Sequence, residues 1–224
     1  MSLKWQTAGV AVVMSMLAMG AARADDQEGP WEVRLRAVYL AFAQKSDAVP
    51  ALAVPSDAIH VNDKWIPDVD IEYFFTPNWS SELVLTYPQK QTVTVEKSAL
   101  GGPTEIGTFK HLPPTLTVKY NFIPGGVVRP YVGIGINLTL ISDVNLAVPT
   151  VPPIPLKLDS TSVGFAGQAG LDWQLAPHWY ANADVKWVQL GTDVKTVASD
   201  GTQTKVSHAT LNPWLLGIGF GYRF

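Results

Sequence analysis

The chemistry open to this chain is set by its four histidines and by charged residues that recur at every second position. Hydrolysis or acyl transfer would need a nucleophile, a base and an orienting group within hydrogen-bond reach. His60 falls in a long loop segment and His178 in a short turn. His208 follows Ser207, but adjacent residues of a strand point to opposite faces, so the two form no dyad. His111 is expected to make a structural hydrogen bond. Neither HExxH nor an EF-hand loop occurs, so no metal is expected. No cofactor is implied, and the chain is not expected to be an enzyme. The charges remain: Glu32, Arg34, Arg36, Asp70, Glu72, Glu82, Lys119, Asp172, Asp184, Lys186 and Arg223. Brought together away from bulk water, they must be paired or hydrated.

The segments that hold these charges alternate with period two, the mark of strands with two unlike faces. Val33, Leu35, Ala37 and Tyr39 interleave with Glu32, Arg34, Arg36 and Val38; Val69, Ile71, Tyr73 and Phe75 interleave with Asp68, Asp70, Glu72 and Phe74. Similar runs centre on residues 79–87, 115–122, 131–138, 163–173, 179–187 and 214–224. That makes eight strands and no convincing helix. Three connections are short, at residues 76–78, around 124–126 and at 176–178; four are long, at 44–63, 88–110, 142–158 and 191–205. Long and short alternate strictly, as in transmembrane barrels with short periplasmic turns and longer outer loops.

The face carrying the charges also carries Gly133, Gly135, Gly164, Gly170, Gly217, Gly219 and Gly221, while the other carries bulky Val, Ile, Leu and Phe. An eight-strand barrel is narrow and needs small residues inside. The bulky face would crowd that interior but suits lipid. Trp31, Trp65, Trp79, Trp173, Trp179 and Tyr222 stand near strand ends on the bulky face, where headgroups meet hydrocarbon. The fold class is therefore all-β: an eight-stranded antiparallel up-and-down transmembrane β-barrel. The expected lumen lining includes Glu82, Val84, Lys119, Tyr131, Asn137, Gln168, Asp172, Asp184 and Lys186. Two roles stay open for the polar network: structural pairing, and shaping the passage of ions or solutes.

Composition agrees. Charged residues make up only 16% of the chain, the net charge is -3, and there is no cysteine. A disulfide-stapled fold is excluded, and no basic stripe points to nucleic acid. Lys4, the apolar or small run 7–19 and the Ala22-Arg23-Ala24 site read as a signal peptide over residues 1–24, leaving 25–224 as the barrel domain. The apolar run is short for a retained helical anchor. The outer loops are rich in Pro, Ala and Val at 49–55 and 147–155. They are expected to be semi-rigid extended excursions that fold over the barrel mouth, touch an apolar ligand or pack on each other.

Five runs resemble the outer membrane protein W (OmpW) family: residues 111–116 (HLPPTL), 129–137 (RPYVGIGIN), 164–172, 211–214 (LNPW) and the ending 221–224 (GYRF). They fall in order and span most of the mature chain. The resemblance implies a bacterial outer-membrane barrel for passage or binding of small hydrophobic or amphipathic molecules, with sideways release into the membrane. It implies closure by apolar lumen residues at the positions of Val84 and Lys186; Lys186 departs from the large apolar residue expected, so a fully hydrophobic lumen is not expected. Phe224 would be the terminal aromatic read by the barrel-assembly machinery. A second reading is a non-transporting structural or receptor barrel that acts through its loops. The partners expected are outer-membrane lipid and small apolar or amphipathic solutes, with no nucleic acid, and the protein is expected to be a monomer.

Proline adds a physical route for sideways release. It cannot donate to a strand ladder. Pro88 follows the third strand, and Pro113 and Pro114 precede the fourth. The ladder between these neighbours is expected to open above the membrane centre.

Overall fold

A computed structural model describes residues 28–224 apart from Leu100 and Ser199. The predicted signal peptide lies outside the described residues. Fifteen strands form one sheet, and eight segments of it close into a barrel. In chain order these eight are β1 (Trp31–Ala41), β4 (Lys64–Phe74), β5 (Trp79–Leu85), β8 (Thr115–Asn121), β9 (Val128–Val148), β11 (Thr161–Ala176), β12 (Trp179–Val188) and β15 (Trp214–Arg223). Each pairs antiparallel with its neighbour in this sequence, and β15 returns to β1 from Glu32↔Arg223 to Ala41↔Trp214. The up-and-down topology read from the alternation is the one observed.

The period-two pattern sorts the side chains by chemistry. Leu35, Ile134, Ile136, Phe165, Ile218 and Phe220 are exposed outward, whereas Arg34, Asp70, Glu82 and Lys119 are buried. Such a surface is stable only against hydrocarbon. Aromatic rings band it at the two rims. Trp31 meets Tyr73, and Trp79 meets Tyr120 at 5.0 Å, near the end where the short turns lie; Tyr39 meets Trp65 at 5.5 Å near the other. Among the described residues no helix is long and apolar enough to cross a membrane.

Glycine makes the narrow closure possible. A Cβ on Gly135 would collide with the Leu116 carbonyl, and one on Gly219 with the Leu35 carbonyl and the Arg36 side chain.

The long loops depart from expectation. They are β-structured walls, with one short 3₁₀ turn at Pro50–Leu52. β2 (Lys45–Ser46), β3 (Ile59–Val61), β6 (Gln89–Val95), β7 (Thr104–Leu112), β10 (Ile154–Leu158), β13 (Gly191–Val197) and β14 (Gln203–Thr210) join the upper part of β9 in the order β3-β6-β7-β9-β10-β13-β14-β2. The 21-residue β9 belongs to both storeys, pairing β8 and β11 below and β7 and β10 above. Hydrogen bonds between Ser46 and Asp57 draw the β2 and β3 ends of this upper wall together, at 2.9 Å from the Asp57 amide to the Ser46 carbonyl and 3.1 Å from the Ser46 amide to the Asp57 carboxylate. The result is an extramembrane turret around an apolar interior containing Phe42, Val93, Phe109, Leu146, Leu156 and Leu211. The expected excursions are thus replaced by hairpins, because backbone groups in an apolar enclosure must be paired.

The lower part of the β13–β14 hairpin is held by ionic contacts. Asp193 on β13 faces His208 at 2.6 Å and Lys205 at 2.7 Å, both on β14. Hydrogen bonds from Lys205 and His208 hold the Asp193 carboxyl below its ordinary 3.8. A depressed carboxyl stabilises the fold above its unfolded value, and the effect fades as pH falls through the folded value. Hydrogen exchange of the β13–β14 amides, corrected for intrinsic rates, is expected to quicken selectively below pH 3.8; Asp193→Asn should give that fast exchange already at pH 7. A second expectation concerns closure. Gly135→Val and Gly219→Leu should fail to reach the compact, heat-modifiable electrophoretic form on refolding, whereas Gly125→Ala, in an open turn, should reach it fully.

Candidate functional site

The lumen is filled by a buried ionic plug. Arg34 reaches from β1 to Glu32 at 2.9 Å, to Glu82 at 3.1 Å, to Asp172 at 3.1 Å, and to Glu72. Arg36, one inward position higher, contacts Asp68 at 2.9 Å, Asp70 at 2.8 Å and Asp184 at 3.3 Å. Lys119 contacts Glu72 at 2.7 Å and Glu82 at 3.0 Å, and lies 3.7 Å from the centre of the Tyr131 ring. Lys186 closes the group on Glu82 at 3.0 Å. The Tyr131 hydroxyl donates to Asp184 at 3.0 Å, and Asn182 donates to that hydroxyl and to Asp172.

Strand register is what assembles the plug. Glu32 sits opposite Glu72, Arg34 opposite Asp70, and Arg36 opposite Asp68. Glu72 is in turn opposite Glu82, and Asp70 opposite Val84. A one-residue slip would send the whole charged set into lipid. Four cations (Arg34, Arg36, Lys119, Lys186) thus lie among seven carboxylates (Glu32, Asp68, Asp70, Glu72, Glu82, Asp172, Asp184), all buried.

All nine residues expected to line the lumen have buried side chains. Glu82, Lys119, Tyr131, Asp172, Asp184 and Lys186 belong to the plug. Gln168 donates to Thr117 at 3.2 Å, and Asn137 to Thr115 at 2.8 Å. Val84 lies at the top of the plug and, with Asp68 and Lys186, floors a small cavity of about 20 Å³. Sequence reasoning placed Asp68 in the alternating face but not among the key charges.

Above this cavity a collar of Phe42, Phe109, Ile141, Leu190 and Leu211 packs as one buried cluster. Above the collar the turret encloses a chamber of about 270 Å³, lined by Val54, Ile59, Val93, Ile106, Leu146 and Ile154 among others. The chamber escaped the sequence reading. Its signal was the alternation of Val93 and Val95 with Thr92 and Thr94, inside a segment read as loop.

The three prolines fall at a break in the wall. The β5–β8 ladder ends at Val84↔Thr115, and the β6–β7 ladder begins at Gln89↔His111. Between them, residues 85–88 face 112–114 without a ladder partner across the seam. Each flank is tied to the strand behind it. The Thr86 hydroxyl donates to the Pro67 carbonyl at 2.8 Å, while the Pro113 and Pro114 carbonyls both accept from Asn137 at 3.3 Å. The Leu138 amide also donates to the Pro114 carbonyl, at 3.0 Å. The break is short, because pairing resumes at once above it.

The histidines form no catalytic group. His208 pairs with Asp193, and His178 faces the Arg223 carbonyl at 2.8 Å. His111 differs from expectation. Its Nδ1 is buried without a hydrogen-bond partner, and its ring lies between Phe42 at 6.0 Å and Phe109 at 6.1 Å. The β7 wall turns it inward among apolar neighbours. No cluster of His, Asp and Glu that could hold a metal occurs among the described residues.

At the opposite end Glu28 links Arg129 at 2.8 Å, Arg223 at 3.3 Å and Tyr180. These contacts tie the segment before β1 across the periplasmic mouth.

A closed eight-strand barrel with a lipid-facing exterior, rim aromatics and a turret above long-loop strands defines a transmembrane barrel of the bacterial outer membrane. The family model of that class, "OmpW family", matches residues 27–224. The chain belongs to the OmpW family. It is 33% identical over 201 residues to outer membrane protein W of Vibrio cholerae, covering 88% of this chain and 90% of that one. It is 26% identical over 203 residues to the dibenzothiophene metabolism operon protein PahQ of Pseudomonas aeruginosa, again covering 88% and 90%. The crystal structure of the outer membrane protein OprG from Pseudomonas aeruginosa superposes with a TM-score of 0.75 at 26% identity, over 88% of this chain and 97% of that one. None of these relatives carries the name of an enzyme.

Glu82 receives Arg34, Lys119 and Lys186 together. Removing one partner of a buried pair leaves an uncompensated charge and costs about 3–5 kcal/mol. Glu82→Leu is expected to lower the unfolding free energy in urea, measured in lipid vesicles, by that amount. Lys186→Leu should cost less than half as much, since Lys119 and Arg34 still neutralise Glu82.

Proposed function

We propose that the protein admits small hydrophobic or amphipathic molecules across the outer leaflet and releases them sideways into the membrane. The observation that carries this reading is the apolar chamber stacked directly above a charged plug, with a break in the barrel wall between the two. An apolar solute gains by leaving water for the chamber. It gains nothing by entering a lumen of paired charges, and displacing them would expose each to a several-kilocalorie desolvation penalty. The seam flanked by Thr86 and Pro113 is then the low-cost exit. Pro88, Pro113 and Pro114 withhold three ladder donors from it. The name of the dibenzothiophene operon relative is in keeping with an aromatic, sulfur-bearing cargo.

The test is uptake of naphthalene into vesicles bearing the refolded protein, set beside ion conductance in a planar bilayer. Uptake above protein-free vesicles is expected, with no discrete ion openings. Pro88→Ala/Pro113→Ala/Pro114→Ala restores amide donors on both flanks and should cut uptake about tenfold, the effect of about one regained hydrogen bond across the seam. Ion openings altered by Lys186→Leu would favour an axial route instead. Absence of uptake would favour a barrel that works through its turret surface.

A further inference from the structure

The inward face of β6 reads Gln89, Gln91, Val93, Val95 from the seam upward, and all four are buried. The two valines line the chamber. The two glutamines are unexpected in such surroundings. Gln91 is fully buried, and neither its Oε1 nor its Nε2 has a hydrogen-bond partner. Gln89 donates from Nε2 to the Thr86 hydroxyl at 3.3 Å and to the Tyr87 carbonyl at 3.0 Å, leaving its Oε1 unpartnered. Across the ladder, Gln89 faces His111 and Gln91 faces Phe109. His111 adds an unpartnered Nδ1 and lines the small cavity together with Thr86 and Pro113, the flanks of the seam. Buried polar atoms without partners are rare, and each needs an explanation.

We propose that Gln91 and His111, with Gln89 beside them, form a hydrogen-bonding station for the polar end of an otherwise apolar solute. This rests on the reading of the chamber and seam as a solute route. His111 lines the small cavity beside the seam residues Thr86 and Pro113, and Gln89 and Gln91 follow on the paired strand toward the collar residue Phe109. Its chemistry sets the ligand class. A carboxamide offers one donor and one acceptor, and a neutral imidazole offers one of each, with the tautomer following the partner. A hydroxyl or carbonyl group matches them. A charged group would lose its hydration against the apolar collar, and Asp68 and Lys186 on the floor of the small cavity are already paired within the plug. The preferred solute therefore has a compact apolar body and one neutral hydroxyl or carbonyl, as in a phenol or a short alcohol, and a bare hydrocarbon is the poorer ligand.

The experiment uses a matched pair, 1-naphthol and naphthalene, and the full barrel refolded in lipid nanodiscs. Retention of each compound is measured by equilibrium dialysis against empty nanodiscs. Wild type is expected to favour 1-naphthol about tenfold after correction for the lipid, the effect of one hydrogen bond to a buried unpaired group. Gln91→Met, which keeps the shape and removes both polar atoms, should bring that ratio close to one. With histidine ¹⁵N-labelled in the wild type, 1-naphthol should shift the His111 ring resonances and naphthalene should not, a readout that needs no variant to fold. Equal retention of the two compounds by wild type, or an unmoved His111 signal, would overturn the station and leave the apolar chamber as a solute site. Retention of neither compound above empty nanodiscs would overturn the solute route and the station with it.

Discussion

The need to pair every buried cation with a carboxylate inside a narrow barrel is the constraint on which this structure depends. Each of Arg34, Arg36, Lys119 and Lys186 meets at least one carboxylate at ion-pair distance. None could be buried alone, since the penalty for an isolated ion exceeds what any single hydrophobic contact returns. The groups come from six different strands, so their pairing fixes the register around most of the wall. Small inward residues such as Gly133, Gly219 and Gly221 are the counterpart: they leave room for the long side chains of Lys119, Arg36 and Arg34 beside them. The exterior is then free to be uniformly apolar, as hydrocarbon requires.

The plug also divides the molecule by polarity along its axis. Below the collar the interior is ionic; the collar and the turret above it are apolar, from Phe42 and Phe109 to Val54 and Ile154. The seam falls at that boundary. There the lower and upper ladders fail to meet, and Thr86 and Asn137 draw the two flanks toward the strands behind them. A polar interior stacked under an apolar one offers an apolar solute no reason to continue along the axis. The proposed sideways route follows from this stacking more than from any single residue.

Much of this was legible in the residues, for identifiable reasons. The period-two pattern and the sorting of loop lengths are local properties, and they gave the eight strands, their topology and the inward face. The lining residues Glu82, Lys119, Asp184 and Lys186 followed from parity alone, because a strand residue's face is decided by its position modulo two. The turret was less legible. Residues 89–95 and 191–197 alternate as clearly as many barrel strands, but prolines and long spacing made their segments read as loops. Whether such a hairpin stands upright depends on the neighbour that pairs with it, and β9 supplies that neighbour for β7 and β10. His111 was misjudged for a related reason: its lack of a partner is a fact about the space around it.

The sequence by itself determined that the chain forms a closed membrane barrel, which face meets lipid, and where prolines must withhold ladder donors, since each of these is written in local periodicity and in the covalent chemistry of single residues. The tertiary structure alone decided which charges meet, that they plug the lumen, that the loops build a chamber above it, and that polar atoms of Gln91 and His111 are buried without partners. Those are relations between residues as far apart as Arg34 and Asp172, and only the closure of the sheet brings them within reach of one another.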